Sequence, residues 1–153
     1  MARRDPAVSA AMVYEALRNG IYWGPGDGAE SGPFVGRLEV VTEGTSRRIR
    51  YEAWSDREGL QHQEHGLLTR VGDSLVLETR ISESPESVLR FEMGDGRQFR
   101  LLDGPDMRIV FDVTDGGNAM SYAWWWAPAG DTVREQSRLD AVWVGGSTPG
   151  PVD

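Results

Sequence analysis

The sequence contains no cysteine and no lysine. Without cysteine the chain can form neither a disulfide nor a thiolate metal site, which is compatible with a reducing compartment. All sixteen basic residues are arginine, so a Schiff-base lysine, a phosphate-loop lysine and a lysine general base are excluded. Any chemistry must therefore use carboxylates, two histidines, arginines and aromatic side chains.

Long apolar runs and excess positive charge are also missing. No stretch approaches the ~20 apolar residues of a membrane span, and the start of the chain lacks the apolar core of a signal peptide. The formal net charge of −8 argues against nonspecific nucleic-acid binding, which depends on neutralising phosphates. We therefore expect a cytoplasmic protein with no nucleic-acid or membrane partner. Its 153 residues fit one domain, 1–153, with a flexible tail over 145–153.

One helix is predicted near the start, from Pro6 to Asn19. Apolar residues recur at helical spacing between these limits, Asp5 suits the cap position, and a glycine follows Asn19. The glycine-rich segment Ile21 to Gly28 comes next, and it has neither a preceding strand nor the glycine spacing and lysine of a phosphate site. This segment predicts a tight backbone bend that carries a buried Trp23.

From Phe34 onward, predicted strands alternate with turns. The predicted strands are Phe34 to Thr42, Arg47 to Trp54, Gly66 to Val71, Ser74 to Ile81, Ser87 to Met93, Arg97 to Leu102, Met107 to Thr114, Ala119 to Trp126 and Thr132 to Val144. Because no second helix is available for a parallel crossover, the sheet must be antiparallel and must avoid long free edges. The sequence therefore predicts an all-β fold: an antiparallel up-and-down β-barrel of about eight to ten strands with a short N-terminal helix.

Both histidines lie in the stretch from Arg47 to Val71. The first part of this stretch alternates apolar and polar residues, which is typical of a half-buried strand. A polar turn follows, and His62 and His65 come just before the apolar strand that is predicted to begin at Gly66. We expect both imidazoles at the entrance to that strand.

The last two strands carry aromatic rings and charges on defined faces. Tyr122, Trp124 and Trp126 share one face of their strand, whereas Arg138 and Asp140 share a face opposite to the apolar residues between and after them. If Arg138 and Asp140 face inward, only a polar or charged ligand would justify their burial. The alternative is an outward, salt-bridged face over an apolar core.

The order of several segments resembles the nitrobindin-like β-barrels related to fatty-acid-binding proteins. The matching segments are Tyr14 to Leu17, Ile21 to Gly28, Tyr51 to Trp54 and Gln61 to Arg70. The family's His-x-Glu-x-Gly core and later arginine fall on His62, Glu64, Gly66 and Arg70, and its spaced glycines fall on Gly24, Gly26 and Gly28 after Trp23. Ile21 departs from the pattern, since the family has glycine there. The resemblance implies a calycin-type barrel that holds a small molecule.

Heme is the cofactor that this resemblance implies, held by a histidine in the last strand. The corresponding position here is Arg138, and a protonated guanidinium has no lone pair to give to iron. His62 and His65 are the only available replacements. We therefore expect no cofactor, with heme disfavoured. We also expect no metal site, because the two histidines lack a clear third ligand.

Two functions from different classes fit these residues. The first is binding of a small apolar or aromatic metabolite inside the barrel. Both a neutral and an anionic metabolite fit this function. Six tryptophans in a short chain supply stacking area for it. The predicted lining residues are Tyr51 or Trp54, together with Tyr122, Trp124, Trp125, Trp126, Arg138 and Asp140.

The second function is a small-molecule lyase, cyclase or isomerase. In it, His62 or His65 moves protons, Glu64 orients the imidazole, and Arg138 holds an anionic substrate group. Arg138, with its charge neutralised by Asp140, would then face the barrel interior. The plainest alternative for the histidines is one loop residue and one packing residue. In either function the partner is a small molecule, and a homodimer is an open option.

Overall fold

Ten antiparallel strands form a closed barrel in the computed structural model, which describes residues 13–93, 98–128 and 131–146. The strands are β1 (Gly20–Gly28), β2 (Gly32–Glu43), β3 (Ser46–Ser55), β4 (Gly59–Val71), β5 (Ser74–Ile81), β6 (Leu89–Met93), β7 (Gln98–Leu101), β8 (Arg108–Thr114), β9 (Ala119–Trp126) and β10 (Arg134–Gly145). Each strand pairs with its neighbours in sequence, and β1 pairs with β10 to close the barrel. The predicted antiparallel up-and-down barrel is confirmed.

The predicted N-terminal helix is confirmed over residues 13–16, but it ends there and not at Asn19. The predicted tail began at Gly145, which is instead the last residue of β10. Residues 6–12 of the helix prediction, and residues 147–153 of the predicted tail, lie outside the described residues. No helix in the described part of the chain is long and apolar enough to cross a membrane.

The segment Ile21 to Gly28 is a strand and not the predicted bend. Its glycines let β1 lie close to its neighbours, because a Cβ on Gly24 would collide with the carbonyl oxygen of Asp140 in β10. The prediction that Trp23 is buried is also wrong, since Trp23 is 43% exposed and Tyr22 is the residue that fills the interior. This extra strand is what pairs with β10 and closes the barrel.

Strand β4 begins earlier than the sequence predicts. A short turn at residues 56–58 lets Gly59 pair with Ser55, with Gly59 at a φ of +71°. Glycine tolerates this left-handed conformation because it has no Cβ. His62 and His65 therefore lie within β4 and not at the entrance to a strand.

The interior of the barrel is filled over much of its length by inward-facing apolar side chains. Alternation places these side chains inside on nearly every strand; the fully buried ones include Leu38, Leu68, Leu77, Phe91, Phe99, Ile109, Phe111 and Leu139. Burial of each such side chain contributes about 1.5–3 kcal/mol of transfer free energy, so this packing is the main stabilising term.

The segment that contains helical residues 13–16 covers one end of the barrel. Val13 and Leu17 are buried in the core cluster, and the Arg47 guanidinium donates a 2.7 Å hydrogen bond to the Leu17 carbonyl. The Tyr22 hydroxyl donates to the carbonyl of Gly117 over 2.6 Å, which ties β1 to the turn between β8 and β9. These contacts close this end, so a ligand would have to enter from the other.

Candidate functional site

The end of the barrel opposite the helix contains a cavity of about 770 Å³. Its apolar and aromatic walls include Phe34, Tyr51, Leu60, Ile81, Met107, Trp124 and Trp126. Its polar lining includes Glu30, Glu58, Gln61, His62, Glu83 and Gln136. The volume lies within the ~300–1,000 Å³ typical of small-molecule pockets.

Strand β9 supplies the aromatic wall. Tyr122 and Trp124 are buried inside the barrel, and Trp126 lies at the rim, as the alternation of the strand indicates. The Trp124 ring packs edge-on against Phe91, and the Tyr122 ring packs edge-on against Tyr51 and Phe111. Edge-to-face packing holds the rings in defined orientations. Their role in ligand binding stays a prediction.

A carboxylate, Glu64, is buried beside this aromatic wall. Its side chain is only 2% exposed, and it faces inward from β4. The Tyr122 hydroxyl donates a 2.5 Å hydrogen bond to Oε1 of Glu64, and Nε2 of His62 lies 2.6 Å from Oε2. A buried carboxylate is costly unless it is paired and hydrogen-bonded, and here both oxygens have partners.

His62 bridges two carboxylates. Its Nδ1 lies 2.7 Å from Oε2 of Glu83, just after β5, while its Nε2 contacts Glu64. Each ring nitrogen must carry a proton to donate to its carboxylate, so this geometry fits the imidazolium form. Burial opposes that charge, but the hydrogen bonds and charges of Glu64 and Glu83 outweigh it and raise the pKa of His62 to about 9. His62 is therefore a proton donor, and not a free base, at neutral pH.

The two tyrosines near Glu64 stay neutral. Burial, followed by the negative charge of Glu64, raises the pKa of both Tyr51 and Tyr122 well above the ordinary value. The nearby indole of Trp124 lowers the pKa of Tyr122, but less than burial and Glu64 raise it. The Trp124 Nε1 atom does not make a hydrogen bond of good geometry to the Tyr122 hydroxyl. Both phenols can therefore donate hydrogen bonds inside the barrel at any ordinary pH.

His62 and His65 do not form a pair. Successive residues on a strand face opposite sides, so the side chains at 62 and 65 leave opposite faces of β4, and His65 is exposed on the outer surface. Across the sheet it lies opposite Arg50 and Arg80. A catalytic role for His65 in the cavity is thus excluded by its position, whereas His62 and Glu64 do lie together.

The prediction that Arg138 faces the barrel interior is wrong. The Arg138 side chain is 45% exposed on the outer face, where it pairs with Asp140 and Glu135 at 3.2 Å. Leu139 and Ala141 face inward instead. The reason is energetic, because burying the guanidinium without a partner is unfavourable, whereas burying the apolar residues on the opposite face of the strand stabilises the fold.

Two tryptophans predicted to line the cavity do not line it. Trp54 lies on the outer side of β3, with its ring centroid 5.9 Å from that of Trp23. Trp125, next to Trp124 on β9, points away from the cavity as well. Tyr51 is therefore the aromatic residue that β3 contributes to the wall.

The described residues around the cavity do not fit heme. The residue expected at the ligand position, Arg138, is on the outer surface, and both ring nitrogens of His62 are held by carboxylates. The β10 residues that line the cavity are Gln136 and Ser137, and neither an amide nor a serine hydroxyl is one of the usual iron ligands of heme. In the described part of the chain no three histidine, aspartate or glutamate side chains are grouped to hold a metal ion.

Sequence reasoning missed Glu83 and Gln136. Glu83 reaches His62 because β4 pairs with β5 in a register that sets Glu64 opposite Ile81. Gln136 faces inward because a bulge in β10, between Glu135 and Ser137, adds one residue to the strand. No signal in the sequence marks either residue, since both depend on strand register.

Comparisons with known proteins show the fold and no more. Neither the family models nor the curated proteins give a match to this sequence. Among solved structures, the crystal structure of Rv2717c from M. tuberculosis is similar, with a TM-score of 0.64 and 13% sequence identity. The match covers 92% of this chain and 99% of that one. At this identity the likeness shows that the two chains share the ten-stranded barrel architecture.

Proposed function

We propose that this protein binds a small aromatic or apolar molecule in the cavity at the open end of its barrel. The observation that carries the proposal is the cavity itself, about 770 Å³, walled by aromatic rings above a filled core. One end of the barrel is covered, so the cavity is a cup and not a channel. A cup with aromatic walls and a few fixed polar groups is the usual form of a small-molecule site.

The structure provides no interior arginine to bind an acidic group on the ligand. Arg138 lies outside the barrel, and the positive charge of His62 is already shared between Glu64 and Glu83. The metabolite that this cavity suits best is therefore neutral or basic.

A second candidate is acid catalysis on the bound molecule, as in a lyase or isomerase. It is favoured by one observation: His62 lines the cavity and is held as a proton donor by two carboxylates. Its raised pKa keeps the proton present at neutral pH, and donation to a bound molecule would require the exposed Glu83 side chain to release Nδ1. Loss of turnover with retained binding in His62→Gln would distinguish this candidate from simple binding, once a ligand is known.

The test of binding uses a neutral probe and a cavity-filling variant. The probe is 6-methoxynaphthalene with a hydroxymethyl group at position 2, titrated by calorimetry and by quenching of tryptophan fluorescence. Ala53 faces the cavity, so Ala53→Trp should block the site and weaken binding by more than tenfold. Val142→Trp, on the outer face of β10, should bind like the parent protein.

Circular dichroism and urea unfolding establish that both variants are folded. In parallel, an organic extract of the purified protein is analysed by mass spectrometry for a copurified small molecule. If no probe binds and no molecule is extracted, the cavity is not a binding site. Equal binding to the Ala53→Trp and Val142→Trp variants would equally refute the proposal.

A further inference from the structure

The charged groups around the cavity are mostly negative. Glu30, Glu58 and Glu83 line its rim, and His62 is the one cationic side chain among the described residues of the lining. The chain contains sixteen arginines, yet none of those described lines the cavity.

Within the described part of the chain, no arginine pairs with the carboxylates at the rim. Glu58 accepts a hydrogen bond from the neutral amide of Gln61 over 2.5 Å, and the described residues provide no arginine partner for it or for Glu30. Glu83 contacts His62 at 2.7 Å, but that imidazole also contacts Glu64 at 2.6 Å. A single positive charge is thus set between two negative ones, and the mouth of the cavity keeps an excess of negative charge.

The walls behind this rim suit a cation as well as an aromatic body. Trp124 and Trp126 line the cavity from β9, and Tyr51 lines it from β3. Aromatic faces attract cations through the ring quadrupole, more strongly where water is partly excluded.

We infer that the natural ligand is an arylalkylamine, a planar aromatic body that carries a protonated aliphatic amino group. Its planar body lies against Trp124 and Trp126, and its protonated amino group lies at the mouth beside Glu58 and Glu30. The inference rests on the proposed binding function and specifies the chemical class of the ligand. A carboxylate in the same place would meet like charges, and the described lining residues provide no unpaired cationic side chain to neutralise it, so acidic ligands are rejected.

The experiment compares three compounds that differ in one group. Each is 6-methoxynaphthalene, substituted at position 2 with an aminomethyl, a hydroxymethyl or a carboxylate group, and each is titrated by calorimetry at pH 7 and low salt. The amine should bind about tenfold tighter than the alcohol, and the carboxylate should bind more weakly than the alcohol. Added salt should reduce the difference between amine and carboxylate, because exposed carboxylates are screened.

Charge-neutralising variants locate the effect. The double variant Glu30→Gln, Glu58→Gln should lose most of the preference for the amine and keep the affinity for the alcohol. Glu92→Gln, on the exposed outer side of β6, is the matched control and should keep the full preference.

The outcomes separate this inference from the proposed function. If none of the three compounds binds, the binding function fails and the inference falls with it. If the alcohol binds at a site that Ala53→Trp blocks but the carboxylate binds as tightly as the amine, binding stands and the amine is wrong. A preference for the amine that survives in the double variant would also overturn the inference, because the rim carboxylates would not be its cause.

Discussion

The charge on His62 should make the stability of this protein depend on pH. The pKa of His62 rises from an ordinary 6.5 to about 9 on folding, because Glu64 and Glu83 hold the imidazolium despite its burial. At ~1.4 kcal/mol for each pKa unit, the folded state gains about 3 kcal/mol from this group. Since the folded pKa is the higher one, this gain is complete below about pH 6.5 and is lost as the pH rises through about 9.

Urea unfolding followed by tryptophan fluorescence measures this dependence between pH 6 and pH 9.5. We expect the free energy of unfolding to fall by about 3 kcal/mol across this range. The range stops there because Tyr51 and Tyr122, which face His62 and Glu64, also have raised pKa values. Unfolded tyrosines begin to lose protons near pH 10, and a second loss of stability with a different cause would begin.

Two histidine variants assign the effect to one residue. His62→Gln should unfold with a nearly flat pH dependence over the same range and should be less stable than the parent at pH 6. His65→Gln should keep the parent slope, because His65 is exposed on the outer face. A parent protein whose stability does not change from pH 6 to pH 9.5, or a His62→Gln variant that keeps the slope, would refute the charged bridge.

Three further outcomes follow from the structure. Tyr122→Phe removes the hydrogen-bond donor to the buried Glu64 carboxylate and should lower the free energy of unfolding in urea by about 2–3 kcal/mol. Tyr14→Phe, which removes an exposed hydroxyl, should lower it by about 1 kcal/mol or less, and equal losses would contradict the buried network. Gly24→Ala should lower the free energy of unfolding by about 2 kcal/mol or more, because the new Cβ meets the backbone of β10. Gly66→Ala should lower it less, because its Cβ meets a movable leucine side chain at 3.3 Å, and the reverse order would be inconsistent with the close approach of β1 and β10. Incubation with hemin should give no stoichiometric, sharp Soret band, and a band that His62→Ala abolishes would restore heme as a cofactor.

The alternation of apolar and polar residues was enough to predict much of the barrel. In β9 it placed Tyr122 and Trp124 on one face, and both are buried there. In β3 it separated Tyr51 from Trp54 without deciding between them, and Tyr51 is the buried one. The reason is that side chains on a strand alternate strictly, so residue order fixes which of them share a face. The absence of a crossover helix, and the need to avoid free edges, then predicted an antiparallel barrel.

Alternation does not say which face is the inner one when both carry plausible residues. In β10 it separated Arg138 and Asp140 from Leu139 and Ala141, and only the assembled barrel showed that the charged pair faces outward. The cost of burying a guanidinium favours that outcome, but a bound anion could have reversed it. The same limit applies to β1, whose glycines resemble those of a turn until β10 is packed beside them.

The sequence by itself therefore determined nine of the ten strands, most of their faces and the aromatic character of the interior. The tertiary structure decided where the site lies and what charge it carries. Glu83 and His62 are distant in sequence and meet because of the register between β4 and β5, and Gln136 enters the cavity through a bulge. Register and bulges depend on turn lengths and on packing between strands, and no local pattern of residues encodes them.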